Sequence, residues 1–128
     1  MVGIVIVSHS RDIAVGTAAL AAQMAGDEVR IEAAGGAPDG GLGTDGALVE
    51  AAIAAADQGD GAIVLGDLGS AILTARHVLD GHAENGAVRL VDAPLVEGAV
   101  AAAVVSSAGR PVDEVASAAE EARAIPKL

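Results

Sequence analysis

The feature that most constrains this chain is an alternation. Short runs of Val, Ile, Leu and Ala take turns with segments of helical period from one end to the other. Strands are expected over residues 2–8, 28–34, 61–66 and 87–91. Helices are expected over 10–25, with apolar Ile13, Val15, Leu20 and Met24, and over 44–57 and 69–83. Two more follow, one opened by Pro94 as a first-turn residue and one over 111–124. The first and third strands are apolar at nearly every position rather than at alternate ones. A strand of that kind is buried on both faces, as in a parallel sheet covered by helices. Right-handed crossovers then leave few topologies. The expected fold is α/β: a doubly wound three-layer sandwich around a mostly parallel sheet of about four strands, order 2-1-3-4. Residues 1–125 read as a single domain, and 126–128 as a tail or the start of a linker.

With no Phe, Tyr, Trp or Cys in 128 residues, the core must come from aliphatic side chains and from closely packed alanine faces. The absence of cysteine fits a cytoplasmic location. The uncharged run over 98–109 is shorter than the ~20 residues that span a bilayer. No basic residue precedes the first apolar run, as one would in a signal peptide. The net charge of −11 repels phosphate backbones, and no aromatic is present to stack on bases, so nucleic acid and membrane are not expected partners.

The first apolar run, "VIVSHSR", stops on a histidine between two serines. In order 2-1-3-4 the first and third strands are neighbours, and ligands bind where the winding reverses, beyond the strands' carboxyl ends. His9 ends the first strand, and Asp67 follows the third in "LGDLGSA". Adjacent strands lie about 4.8 Å apart, which brings the two side chains within reach of each other. A carboxylate on one ring nitrogen fixes the tautomer and leaves the other nitrogen as nucleophile or base. Ser10, Gly69 and Ser70 stand at helix starts, where unpaired N–H groups suit an anion. Together these features fit a histidine that carries a phosphoryl group. Asp67 taken alone also fits a helix N-cap. His77 and His82, five residues apart, share no helix face and read as surface residues; no metal-ligand spacing is present.

"VIVSHSRDIAVG", "GLGTDGALVEAAI", "GDLGSAILTA" and "APLVEGAVAAAVV" resemble, in order and over roughly residues 1–107, the M-subunit family (DhaM) of phosphoenolpyruvate-dependent dihydroxyacetone kinases. The N-terminal domain of that family is related to the mannose-type enzyme IIA of the phosphotransferase system. The resemblance implies a phosphotransferase subunit of glycerol metabolism, usually a homodimer. It implies that His9 takes a phosphoryl group on Nε2 from the phosphocarrier HPr, while Asp67 orients the ring from Nδ1. The group then passes to ADP bound on a separate L subunit. No tightly bound cofactor is expected on this chain, only phosphohistidine at His9. Arg11, Gly43, Thr44 and Asp45 are expected, with Ser10, Gly69 and Ser70, to line the phosphoryl or partner site. The sugar-transporter branch reads His-Gly followed by a longer "D-x-x-G-G-S-P" loop; His9-Ser10 and the compact 67–71 segment favour the dihydroxyacetone branch.

Other readings stand beside this one. An enzyme IIA of a mannose-type transporter, or a regulatory phosphohistidine protein, would use the same residues. "GLGTDG" at 41–46 literally fits G-x-G-x-x-G, which would make a nucleotide-binding module. Against it, six residues separate the expected end of the second strand from Gly41, and no Lys follows the glycines. The same glycines also read as a loop ending in Thr44 as an N-cap. In "APLVEG", Pro94 and Gly98 shape a helix start.

Overall fold

The computed structural model describes residues 1–81 and 87–128, so His82 and the expected helix end at residue 83 lie outside the described residues. Strands β1 (Gly3–Ser8), β2 (Ile31–Gly35), β3 (Ala62–Gly66) and β4 (Val88–Leu90) form one sheet. Its order is β2-β1-β3-β4, and every pairing is parallel. Helices α1 (Arg11–Ala25), α2 (Gly46–Ala56), α3 (Gly69–Asp80), α4 (Leu95–Ser107) and α5 (Val112–Glu121) cover it, and a 3₁₀ turn (Ala122–Ala124) closes α5.

The side-chain period of a strand explains the three layers. Ile4, Ile6, Ile63 and Leu65 point into a core shared with alanines of α1, α4 and α5. Val5, Val7, Ala62 and Val64 point the other way, onto α2 and α3. Each fully buried Val, Ile or Leu contributes roughly 1.5–3 kcal/mol, so the two central strands anchor both layers. They also set the register that matters below: Val7 lies opposite Gly66, and Ser8 opposite Gly35.

The large apolar residues of α1 do not make its packed face. Ile13, Val15, Leu20 and Met24 are 42–51% exposed, while Ala14, Thr17, Ala21 and Ala25 are buried. The reason is close approach. A Cβ on Gly35 of β2 would sit 2.6 Å from the Ser10 carbonyl oxygen and 2.7 Å from Ala14 Cβ, so only small side chains fit beneath this helix. Boundaries shift for similarly local reasons. Asp45, not Thr44, caps α2, its carboxylate accepting from the Ala47 N–H at 3.2 Å. Gly26 ends α1 at φ +73°, and the chain then turns through 26–30, so β2 begins at Ile31 rather than 28. Pro94 and Pro111 precede the first helical residues of α4 and α5 instead of joining them.

Candidate functional site

β1 and β3 are the central pair, and the chain winds outward from them in opposite directions. Their carboxyl ends therefore open side by side, and residues 8–10 and 67–70 meet there. Asp67 is the joint. Its Oδ2 accepts the Ser8 hydroxyl at 2.5 Å, and its Oδ1 accepts the Leu68 N–H at 2.7 Å. The backbone N–H of His9 lies 3.3 Å from both oxygens. Bonds to an ionised acceptor are the stronger kind, so one carboxylate ties the ends of two strands together.

His9 is held from both sides of its main chain. Its N–H rests on Asp67, and its carbonyl accepts the Gly43 N–H at 2.8 Å. Gly43 adopts φ +142° to make that contact, in a region L side chains rarely enter. The imidazole is partly exposed, and its Nδ1 lies 3.3 Å from the Ser70 hydroxyl. Nε2 has no hydrogen-bond partner among the described residues.

The two side chains expected to pair thus meet differently from the arrangement that the resemblance implies. Asp67 engages the His9 backbone, and the hydroxyl of Ser70 occupies the ring nitrogen Nδ1. Three N–H or O–H donors already converge on the carboxylate, and the short Asp67 side chain is turned toward the strand ends by them. A serine oxygen either accepts from Nδ1–H or donates to a bare Nδ1, whereas an ionised carboxylate only accepts.

The remaining expected residues surround this core. Ser10 caps α1, its Oγ accepting the Ile13 N–H at 3.4 Å. Arg11 opens α1 and is exposed, and it lines, with Ser10, Asp12, Gly40, Gly41 and Leu42, a recess beside the site. Gly69 is the first residue of α3, whose N-terminus has no side-chain cap. Gly43 touches His9 directly; Thr44 is half-buried in the loop, and Asp45 spends its carboxylate on capping α2. His77 is exposed on α3, away from these contacts.

The residue that sequence reasoning missed is Ser8, fully buried with its Oγ at the centre of the network. The available signal was a hydroxyl at the end of a strand that is otherwise apolar. The loop at 41–46 does not hold a phosphate cradle. Its Gly41 N–H donates to Asp39 and its Gly43 N–H to His9, and a carboxylate caps the helix that follows.

A DhaM phosphoryl donor subunit of PEP-dependent dihydroxyacetone kinase from Pantoea ananatis is 45% identical, covering 97% of this chain and 27% of its own length. The corresponding subunit of Providencia stuartii is 41% identical over 95% of this chain and 27% of its own. The chain therefore spans about a quarter of these relatives. The subunit of dihydroxyacetone kinase 2 from Listeria innocua is shorter: 41% identity covers 83% of this chain and 86% of that protein. A crystal structure of a protein of unknown function (EF1359) superposes with a TM-score of 0.81 at 34% identity, over 94% of both chains. The profile of the PTS system fructose IIA component matches residues 3–116, and the chain accordingly belongs to that EIIA-man family.

Proposed function

We propose that this chain is the phosphoryl-carrying domain of a PEP-dependent dihydroxyacetone kinase, taking phosphate from phospho-HPr on His9 and passing it to ADP on an L subunit. The observation that carries the reading is the ring itself, with Nδ1 engaged by Ser70 and Nε2 unpartnered among the described residues, at the carboxyl edge of the sheet. The DhaM relatives are phosphoryl donor subunits, which supports this direction of transfer.

The chemistry follows from the tautomer. With Ser70 Oγ accepting the Nδ1 proton, the Nε2 lone pair attacks the phosphorus of the donor phosphohistidine. The donor's P–N bond breaks, and its electron pair returns to the donor ring. In the second step an oxygen of the ADP β-phosphate attacks the same phosphorus, and the Nε2–P bond returns its pair to His9. The uncapped N-terminus of α3, immediately beside Ser70, favours the anionic phosphoryl group.

Incubation with enzyme I, HPr and phosphoenolpyruvate should add one acid-labile phosphoryl group to the wild-type chain and none to His9→Ala. Adding an L subunit and ADP should discharge it with formation of ATP. Labelling of His9→Ala at the wild-type rate would end this reading; retention of the group in the presence of L subunit and ADP would redirect it to the transporter or regulatory alternatives.

A further inference from the structure

Ser8 breaks the apolar pattern of β1. It continues the parity of Ile4 and Ile6, which face the α1, α4 and α5 layer, yet it carries a hydroxyl and is fully buried. A buried hydroxyl is costly unless it is hydrogen-bonded. Here it is used twice: Oγ donates to Asp67 Oδ2 at 2.5 Å and accepts the Ser10 N–H at 3.0 Å. Those two bonds straddle His9, one holding the carboxylate on which the His9 N–H rests, the other closing the turn into α1.

We propose that Ser8 is a positioning residue for phosphoryl transfer: its hydroxyl locks Asp67 against the His9 main chain, so that the imidazole is presented with Nδ1 on Ser70 and Nε2 outward. The inference rests on the phosphohistidine reading above. Without the hydroxyl, Oδ2 keeps only the 3.3 Å contact from His9, and the carboxylate is held firmly at Oδ1 alone, by the Leu68 N–H at 2.7 Å. The Ser10 N–H loses its acceptor at the same time. The His9 N–H then rests on a carboxylate with one fewer anchor, and Gly43 at 2.8 Å becomes the firmer of the two main-chain contacts of His9. Displacement of a reacting atom by about 1 Å costs on the order of 100-fold in rate, which gives the scale of the effect.

The test compares Ser8→Thr, which keeps the hydroxyl, with Ser8→Val, which has nearly the same shape without it. Phosphorylation is followed with enzyme I, phosphoenolpyruvate and varied HPr. Ser8→Val should lose roughly 10- to 100-fold in kcat with KM changed less than about twofold, and Ser8→Thr should stay within about threefold of wild type. A second readout does not depend on turnover. In ¹H–¹⁵N spectra the His9 amide proton, bonded to a carboxylate, should move upfield in Ser8→Val and hold its position in Ser8→Thr. Wild-type kinetics in a folded Ser8→Val would overturn the role of Ser8 while leaving phosphohistidine intact. So would a loss confined to KM, or equal losses in both variants. A wild-type chain that accepts no phosphoryl group would instead overturn the function, and the amide shift would still decide whether the hydroxyl holds the turn. If Ser8→Val does not fold, Ser8→Ala takes its place in the same comparison.

Discussion

A single carboxylate at residue 67 receives the Ser8 hydroxyl and the N–H groups of His9 and Leu68. It is thereby a structural staple as well as part of the site, and its loss should register in both. Asp67→Ala should lower the free energy of unfolding by about 1.5–3 kcal/mol, the range for hydrogen bonds to a charged group, and urea titration measures this. Phosphoryl transfer should slow in the same variant, because the His9 backbone loses its acceptor, while the far-ultraviolet circular dichroism stays native. His9 and Asp67 were legible as a pair from sequence, since apolar runs locate the strands and strand order makes their ends neighbours. Which atoms meet was not legible. That depends on how many donors compete for the carboxylate, and two of the three are backbone N–H groups that carry no residue signature. Ser8 escaped for a related reason, because a serine at the last position of a strand looks like the start of a turn until its burial is known.

At the scale of elements, the strands, helices and order of the sheet follow from period and length, and the packing of α1 does not. A helical stripe of Ile13, Leu20 and Met24 looks like a core face, but the close approach of Gly35 to Ser10 and Ala14 admits only small side chains beneath the helix. The usual ranking of core positions is therefore inverted here. Leu20→Ala, at 42% exposure, should change stability by no more than about 0.5 kcal/mol. Gly35→Ala should be far worse, because its Cβ would overlap the Ser10 carbonyl and Ala14, both backed by rigid backbone. Overpacking of this kind costs typically 1–3 kcal/mol, and thermal unfolding of the two variants checks the order. The damage should also reach the site, since Ser10 caps α1 and bonds to Ser8. Gly35→Ala should slow phosphorylation of His9 and Leu20→Ala should not. The cap at Asp45 rather than Thr44 shows the same limit on a smaller scale: both residue types cap helices, and only the path of the loop selects one.

For the whole molecule, the decisive quantity is what surrounds the imidazole. Two of the most exposed large apolar residues, Leu42 at 73% and Leu68 at 62%, each adjoin a residue bonded to the His9 main chain, Gly43 and Asp67 respectively. Leu73, 69% exposed, lies one turn along α3 from Ser70. Leucines left in water gain stability when another surface covers them, and under the proposed function a macromolecular phosphoryl donor would supply one. The net charge of −11 adds long-range attraction for a basic partner, which speeds encounter, whereas the apolar contact sets how long the complex lasts. These two contributions separate experimentally. Leu42→Ser and Leu68→Ser should each raise KM for phospho-HPr by about 5- to 30-fold, the scale of an interface anchor, with kcat nearly unchanged and no loss of thermal stability. Raising salt from 0.05 to 0.5 M, arbitrary settings that shorten the Debye length from roughly 14 to 4 Å, should weaken wild type and both variants by the same factor. A fall in kcat instead, with KM constant, would mean that these leucines act on the ring's geometry rather than on the partner, and the docking role would pass to the charged residues around them.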